Sequence, residues 1–135
     1  MPLRFDLGPF EKLRIGRSVI SNSDGRAFFA VEGDMPILRD KDFLEPVRAE
    51  SPLQRLYCCI QRMYLEETYE GHQGLYHELR VQVVGANPEL YDEIHLAHRL
   101  IQSGQYYKAL KGLKRLIGDS AFVLDRSEPK NYTRR

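Results

Sequence analysis

The sequence holds no apolar run approaching the roughly 20 residues that a membrane-spanning helix requires, which excludes a spanning helix and any role that needs one. It has almost no net charge: 20 Lys and Arg stand against 19 Asp and Glu, leaving +1. The bulk balance therefore demands neither a nucleic acid nor a membrane surface as partner. Cysteine is scarce. Cys58 and Cys59 are adjacent within a helical pattern, where a mutual disulfide is geometrically disfavoured and a metal site unsupported, so both read as buried small apolar residues. The start Met1-Pro2-Leu3-Arg4 lacks the apolar stretch of a signal peptide, and a cytoplasmic protein is expected.

Catalytic signatures are missing too. There is no phosphate-cradling glycine loop, no nucleophile elbow and no zinc-ligand spacing. His95 and His98 are three apart on a predicted helix, but the sequence places no third ligand beside them. Glu66, Glu67 and Glu70 with His72 read as a solvated helix end. The expectation is a non-enzymatic protein without catalytic residues, metal or cofactor.

What is present is a change of period. At 135 residues the chain suits one compact domain or two closely packed subdomains. Before Ile37-Leu38-Arg39-Asp40-Lys41-Asp42 the apolar residues alternate as in strands; from Ser51 they recur every three or four positions, as in amphipathic helices. Charge is also uneven: residues 1–50 carry 8 basic and 9 acidic side chains, 51–104 carry 4 and 7, and 105–135 carry 8 and 3. The predicted architecture is α+β, with a small N-terminal antiparallel β-sheet (1–50), a C-terminal helical bundle of about four helices (51–124) and a flexible polar tail (125–135).

Within the first part, Leu3, Phe5 and Leu7 alternate with Arg4 and Asp6. Gly8-Pro9 then breaks the run before Leu13 and Ile15 alternate with Lys12 and Arg14, which predicts a hairpin. Turn residues at Gly16-Arg17, Asn22-Ser23-Asp24-Gly25 and Glu32-Gly33-Asp34 mark off further strands at Val19 and Ile20, at 27–31 and at 35–38, about five in all. Pro36 suits only an edge or a strand start.

In the second part, Ser51, Pro52 and Gln54 match a capped helix start. Leu53, Leu56, Tyr57, Ile60, Met63 and Tyr64 form its apolar stripe, and Gly71 is available to end it. A second helix over 72–84 would face inward through Leu75, Leu79 and Val83; a third from Asn87-Pro88 through Leu90, Ile94, Ala97 and Ile101. The fourth would bury Tyr106, Ala109, Leu110, Leu113 and Ile117, with Lys108, Lys111, Lys114 and Arg115 on its other side, and stop at Gly118. The connection before it is so short that the last two helices should form an antiparallel hairpin.

Met1-Pro2-Leu3, Glu11-Lys12-Leu13-Arg14-Ile15-Gly16, Ile37 to Asp42 and Tyr106-Tyr107-Lys108-Ala109-Leu110 occur in an order that resembles the FlbT family of flagellum biosynthesis regulators, over nearly the whole chain. That resemblance implies a cytoplasmic bacterial repressor that associates with the 5′ untranslated leader of flagellin mRNA and promotes its degradation. The first half alone, through Gly8, Glu11, Leu13, Ile15, Gly16 and Leu38-Arg39-Asp40-Lys41-Asp42, also resembles the carbon-storage regulator CsrA. There an arginine matching Arg39 contacts RNA, although Leu7 and Gly8 stand where basic residues are usual.

Candidate RNA contacts are Arg39 and Lys41 at the change of period, with Arg4, Lys12 and Arg14 on the expected solvent face of the hairpin. A guanidinium on a strand end can bind phosphate bidentately or stack on an unpaired base. Equally, Arg39 beside Asp40 and Asp42 fits a set of surface ion pairs worth little. The alternative is a protein-binding role, in which bundle grooves lined by Leu56, Tyr57, Ile60, Tyr106 and Leu110 hold flagellin. In support, Ser51-Pro52 and the segment from Gly104 to Ala109 loosely resemble helical flagellin export chaperones. The strand edges of so small a sheet also predict a homo-oligomer assembled through the N-terminal half.

Overall fold

The computed structural model describes residues 2–122. Five strands come first: β1 (Leu3–Leu7), β2 (Lys12–Ile15), β3 (Ser18–Ser21), β4 (Ala27–Val31) and β5 (Ile37–Arg39). Four helices follow: α1 (Pro52–Glu66), α2 (Gln73–Ala86), α3 (Tyr91–Gln102) and α4 (Tyr106–Ile117). The chain is thus α+β, antiparallel strands followed by four packed helices, as the change of period predicts. The stretch 125–135, expected as a flexible tail, lies outside the described residues.

Strand pairing departs from the predicted order. β1 does not form a hairpin with β2 across Gly8-Pro9; it pairs antiparallel with β4, with Phe5 opposite Phe29. β2 pairs with β3 on one side and β5 on the other, so there are two small sheets rather than one. The reason lies in the turn. The Glu11 carboxylate accepts from the Gly8 amide at 2.7 Å, and the Asn22 side-chain amide donates to the Leu7 and Gly8 carbonyls at 3.1 and 2.8 Å. Residues 8–11 are therefore closed as a corner between sheets. Phe5 and Leu7 of β1 meet Leu13 of β2 in a small core, with Ile15, Phe29, Val31 and Ile37 around it. Between β2 and β3, Gly16 takes φ +57°, and a Cβ there would collide with the Met35 methyl.

The helices begin and end by local chemistry. Ser51 and Gln54 make the reciprocal capping box ahead of α1. The helix stops at Glu66, earlier than Gly71 suggests, because Glu67 turns left-handed (φ 55°) and the amides of Glu67 and Thr68 return to the carbonyls of Tyr64 and Met63. In α2 the inward residue is Tyr76, together with Leu79 and Val83, while Leu75 is exposed. α3 buries Ile94, Ala97 and Ile101; α4 buries Ala109, Leu110 and Leu113 and ends at Gly118 with φ 94°. α1 packs on α2 and α4, and α3 on α4. Cys58 and Cys59 are free thiols in this core, and burial pushes each up to about 11.

The two parts are joined along the segment that follows β5. One stripe of α1, at positions 57, 61 and 64, presents polar tips to its backbone. The Tyr64 hydroxyl meets the amide and carbonyl of Ile37 at 3.2 and 3.0 Å, the Tyr57 hydroxyl donates to the Asp42 carbonyl, and Gln61 pairs with both backbone groups of Leu44 at 2.9 Å. From α4, Lys114 and Lys111 reach the Asp42 carboxylate at 2.9 and 3.2 Å. Asp42 is 1 % exposed. Burial by itself would raise its pKa; the hydrogen bonds and charges of Lys114 and then Lys111 outweigh that and hold it below the ordinary value.

Asp42→Asn should lower stability by about 2 kcal/mol, since it removes a charge-assisted pair from which the lysines can partly rehydrate. The folded Asp42 carboxyl titrates below its unfolded value of 3.8, so its contribution is complete above that pH and is lost as pH falls through the folded value. Urea titrations at pH 7 and pH 3 should show wild type losing more stability on acidification than the variant. Equal losses would remove the clamp as a source of acid sensitivity.

Candidate functional site

Pinning the backbone from Ile37 to Leu44 decides where its charges go. Asp40 and Asp42 lie in a 3-10 turn and point inward, 3 % and 1 % exposed. Asp40 accepts from Arg14 Nη1 at 2.8 Å and from the Lys12 amide at 3.2 Å. Neither aspartate is left for Arg39, which makes no ion pair among the described residues. The surface ion pairs considered for Arg39 do not form. Its guanidinium lies 4.9 Å from the centroid of the Phe5 ring, exposed to solvent.

Arg39 borders a cleft of about 420 Å³ where the β1 strand meets α1 and α4. Arg4 and Phe5 come from β1, Met35 from the turn before β5, Tyr64 from α1 and Tyr107 from α4. The rings of Tyr64 and Tyr107 are 6.1 Å apart, and Lys111 Nζ lies 5.6 Å from the Tyr107 centroid. Tyr107 is 40 % exposed. The Tyr64 ring is fixed, because its hydroxyl is held by Ile37. Two guanidinium groups without carboxylate partners beside aromatic faces can hold a phosphate and stack against a flat heterocycle.

The five candidate RNA contacts part company. Arg4 and Arg39 meet in the cleft; Lys41 is exposed on the neighbouring turn, its carbonyl accepting from Lys114 Nζ at 2.7 Å. Lys12 is half-buried and does not line the cleft. Arg14 is a correction. It was expected on a solvent face, but it is 6 % exposed, paired with Asp40 and, at 3.2 Å, with Glu45, and stacked 3.6 Å over the Phe43 ring centroid. The alternation rule assumed one wet face, whereas β2 is central and covered on both: Leu13 faces the β1 and β4 residues, and Arg14 the turn leading to α1. The basic stripe of α4 is likewise broken, with Lys111 and Lys114 committed to Asp42.

The proposed protein-binding residues are corrected too. Leu56, Tyr57, Ile60 and Leu110 are at most 1 % exposed and form the bundle core, and Tyr106 is half-buried against it. Four amphipathic helices bury their stripes in one another, so among the described residues these side chains are core and do not line an open groove. Sequence reading missed Met35, Tyr64 and Tyr107 as cleft residues. The Tyr106-Tyr107 doublet was the one available signal, because neighbouring helix positions point about 100° apart and the apolar stripe of α4 runs through Tyr106. His95 and His98 have separate partners: His95 stacks on Tyr91, while His98 bonds the Tyr76 hydroxyl at 2.8 Å.

The fold and cleft define a small α+β protein whose exposed chemistry is that of binding. A family model described as flagellar protein FlbT matches residues 3–123. The probable flagellum biosynthesis repressor protein FlbT of Rhodopseudomonas palustris (strain TIE-1) is 43% identical over 126 residues, covering 93% of this chain and 100% of the relative. The flagellum biosynthesis repressor protein FlbT of Caulobacter vibrioides (strain ATCC 19089 / CIP 103742 / CB 15) is 29% identical over 122 residues, covering 87% and 85%. No solved structure matches. The chain belongs to the FlbT family, a regulatory family and not one of enzymes. The likeness of its first half to the carbon-storage regulator is not shown by these comparisons. No helix among the described residues is long and apolar enough to cross a membrane.

Arg14→Ala should destabilise the fold by about 3–5 kcal/mol, because it leaves Asp40 buried without its cation. Thermal melts check this. A melt within a degree or two of wild type would show that Arg14 is not a structural residue.

Proposed function

We propose that the protein represses flagellin synthesis after transcription, associating with the 5′ untranslated leader of flagellin mRNA and promoting its degradation. One observation carries the RNA part of this reading: Arg4 and Arg39, both without carboxylate partners among the described residues, share a cleft with Phe5, Tyr64 and Tyr107. Single-stranded RNA offers what such a cleft can take, phosphates for the guanidinium groups and unpaired bases for the rings. Family membership supplies the flagellar setting, through relatives named as flagellum biosynthesis repressors. An RNA leader is favoured over flagellin because Leu56, Tyr57, Ile60 and Leu110, which would line a flagellin groove, are interior.

Arg39→Ala and Tyr107→Ala should each weaken binding of a flagellin leader fragment, by roughly 5- to 100-fold for the lost stack at Tyr107. Affinity should fall steeply with salt, and the slope should become shallower by about one in Arg39→Ala. Mobility-shift titrations at several salt concentrations decide the matter; unchanged binding in both variants would remove the cleft as the RNA surface.

A homo-oligomer formed through the N-terminal half fits the same reading. β3 is the outer strand of its sheet, and Val19 and Ile20, successive residues on opposite faces, are 55 % and 40 % exposed. A second copy adding at that edge would continue the sheet. Sedimentation at micromolar concentration should show a dimer or larger, reduced to monomer by Val19→Lys. A strict wild-type monomer would end this proposal.

A further inference from the structure

A second concave surface lies apart from the cleft. α2 packs chiefly on α1 and α3 on α4, and beside the contact of Tyr76 and His77 with His98 they leave an open trough of about 480 Å³. His77, Arg80, Val81 and Val84 form one wall, at successive turns of α2; Tyr91, Ile94 and His95 of α3 form the other. The trough therefore runs along the helices for roughly 10 Å. Its walls are apolar and wet: Val81 is 74 % exposed and Tyr91 58 %.

Arg80 is anomalous in this setting. It is half-buried, and among the described residues no carboxylate pairs with it. One guanidinium nitrogen, Nη1, donates to His77 Nδ1 at 3.1 Å, and the group lies 5.5 Å from the Tyr76 ring centroid. Its Nε is buried and has no hydrogen-bond partner. Arginine cannot shed its proton to escape such a position. Its neighbours supply a ring face and one acceptor but no negative charge. With Nδ1 accepting from Arg80, His77 carries its proton on Nε2, 3.2 Å from the Tyr69 hydroxyl. His98, bonded to Tyr76, is pushed toward the neutral form by burial and then by the Arg80 charge. No Asp or Glu lines the trough. A partly desolvated cation without a carboxylate partner, on a largely apolar wall, calls for an anion supplied from outside.

We propose that the trough docks an amphipathic helix of a protein partner, which lays apolar side chains between Val81 and Tyr91 and sets an Asp or Glu carboxylate on Arg80. Length and wall chemistry select a helix over a small anion: about two turns of apolar surface flank the single cation. The inference stands independently of RNA binding at the cleft.

Random 16-residue peptides displayed on phage and panned against the immobilised full chain provide the test, with selected peptides resynthesised for fluorescence anisotropy. Enriched sequences should place an acidic residue among apolar ones at helical spacing. Arg80→Gln should weaken their binding at least tenfold, with Arg80→Lys between it and wild type. Val81→Glu, at an exposed position that leaves the core untouched, should weaken it similarly and so decides the matter if Arg80→Gln fails to fold. Three results would overturn the proposal: no enriched sequences, enriched sequences without an acid, or binding that Val81→Glu leaves unchanged. Conversion of an oligomer to monomer by Val81→Glu would assign the trough to a second copy and also overturn it.

Discussion

Among the described residues no strand pairs with the chain leaving β5 to satisfy its backbone, and the rest of the structure is arranged around that problem. Between Ile37 and Leu44, exposed amides and carbonyls would otherwise be buried against the bundle without partners. α1 answers with three polar-tipped residues spaced four and three apart, Tyr57, Gln61 and Tyr64, which stand over the segment and take up its hydrogen bonds. α4 adds two lysines on the Asp42 carboxylate. The sheets are thereby fixed to the helices through residues far apart in sequence, and a cleft forms at the join because the parts meet along this one line.

The same constraint sorts the charges. A run of Arg, Asp, Lys and Asp reads as a solvated cluster in which neighbours neutralise one another. Held in a 3-10 turn, it instead sends both aspartates inward to cations on β2 and α4 and leaves Arg39 and Lys41 outside. The inward cations, Arg14, Lys111 and Lys114, then have structural roles, while Arg39 stays exposed without an ion pair among the described residues. Near-zero net charge conceals this separation: positive groups face solvent at the join because their negative neighbours were drawn into the interior.

Two concave surfaces of different chemistry result. The cleft between sheet and bundle is lined by two arginines and two tyrosines, residue types that suit single-stranded nucleic acid. The trough between α2 and α3 combines apolar walls with one unmatched arginine, which suits an acidic helix.

Much of the fold was legible beforehand because it rests on local rules. The capped start at Ser51, the apolar stripes of α1, α3 and α4 and the stop at Gly118 depend on residues within a few positions of one another. Strand pairing was not legible: the closure of residues 8–11 depends on Asn22, and whether β2 pairs with β1 or with β3 and β5 is a long-range choice. The candidate site was half legible. Arg4 and Arg39 could be named as basic residues on strands, but Tyr64 and Tyr107 join them only once α1 and α4 are docked, and Arg14 left the set when β2 proved to be covered on both faces. By itself the sequence determined element types, helix ends and the order of strands before helices, since periodicity and capping are properties of neighbouring residues. Tertiary structure alone decided which charges are spent internally and which remain exposed, because a side chain's partner is set by what packs against it.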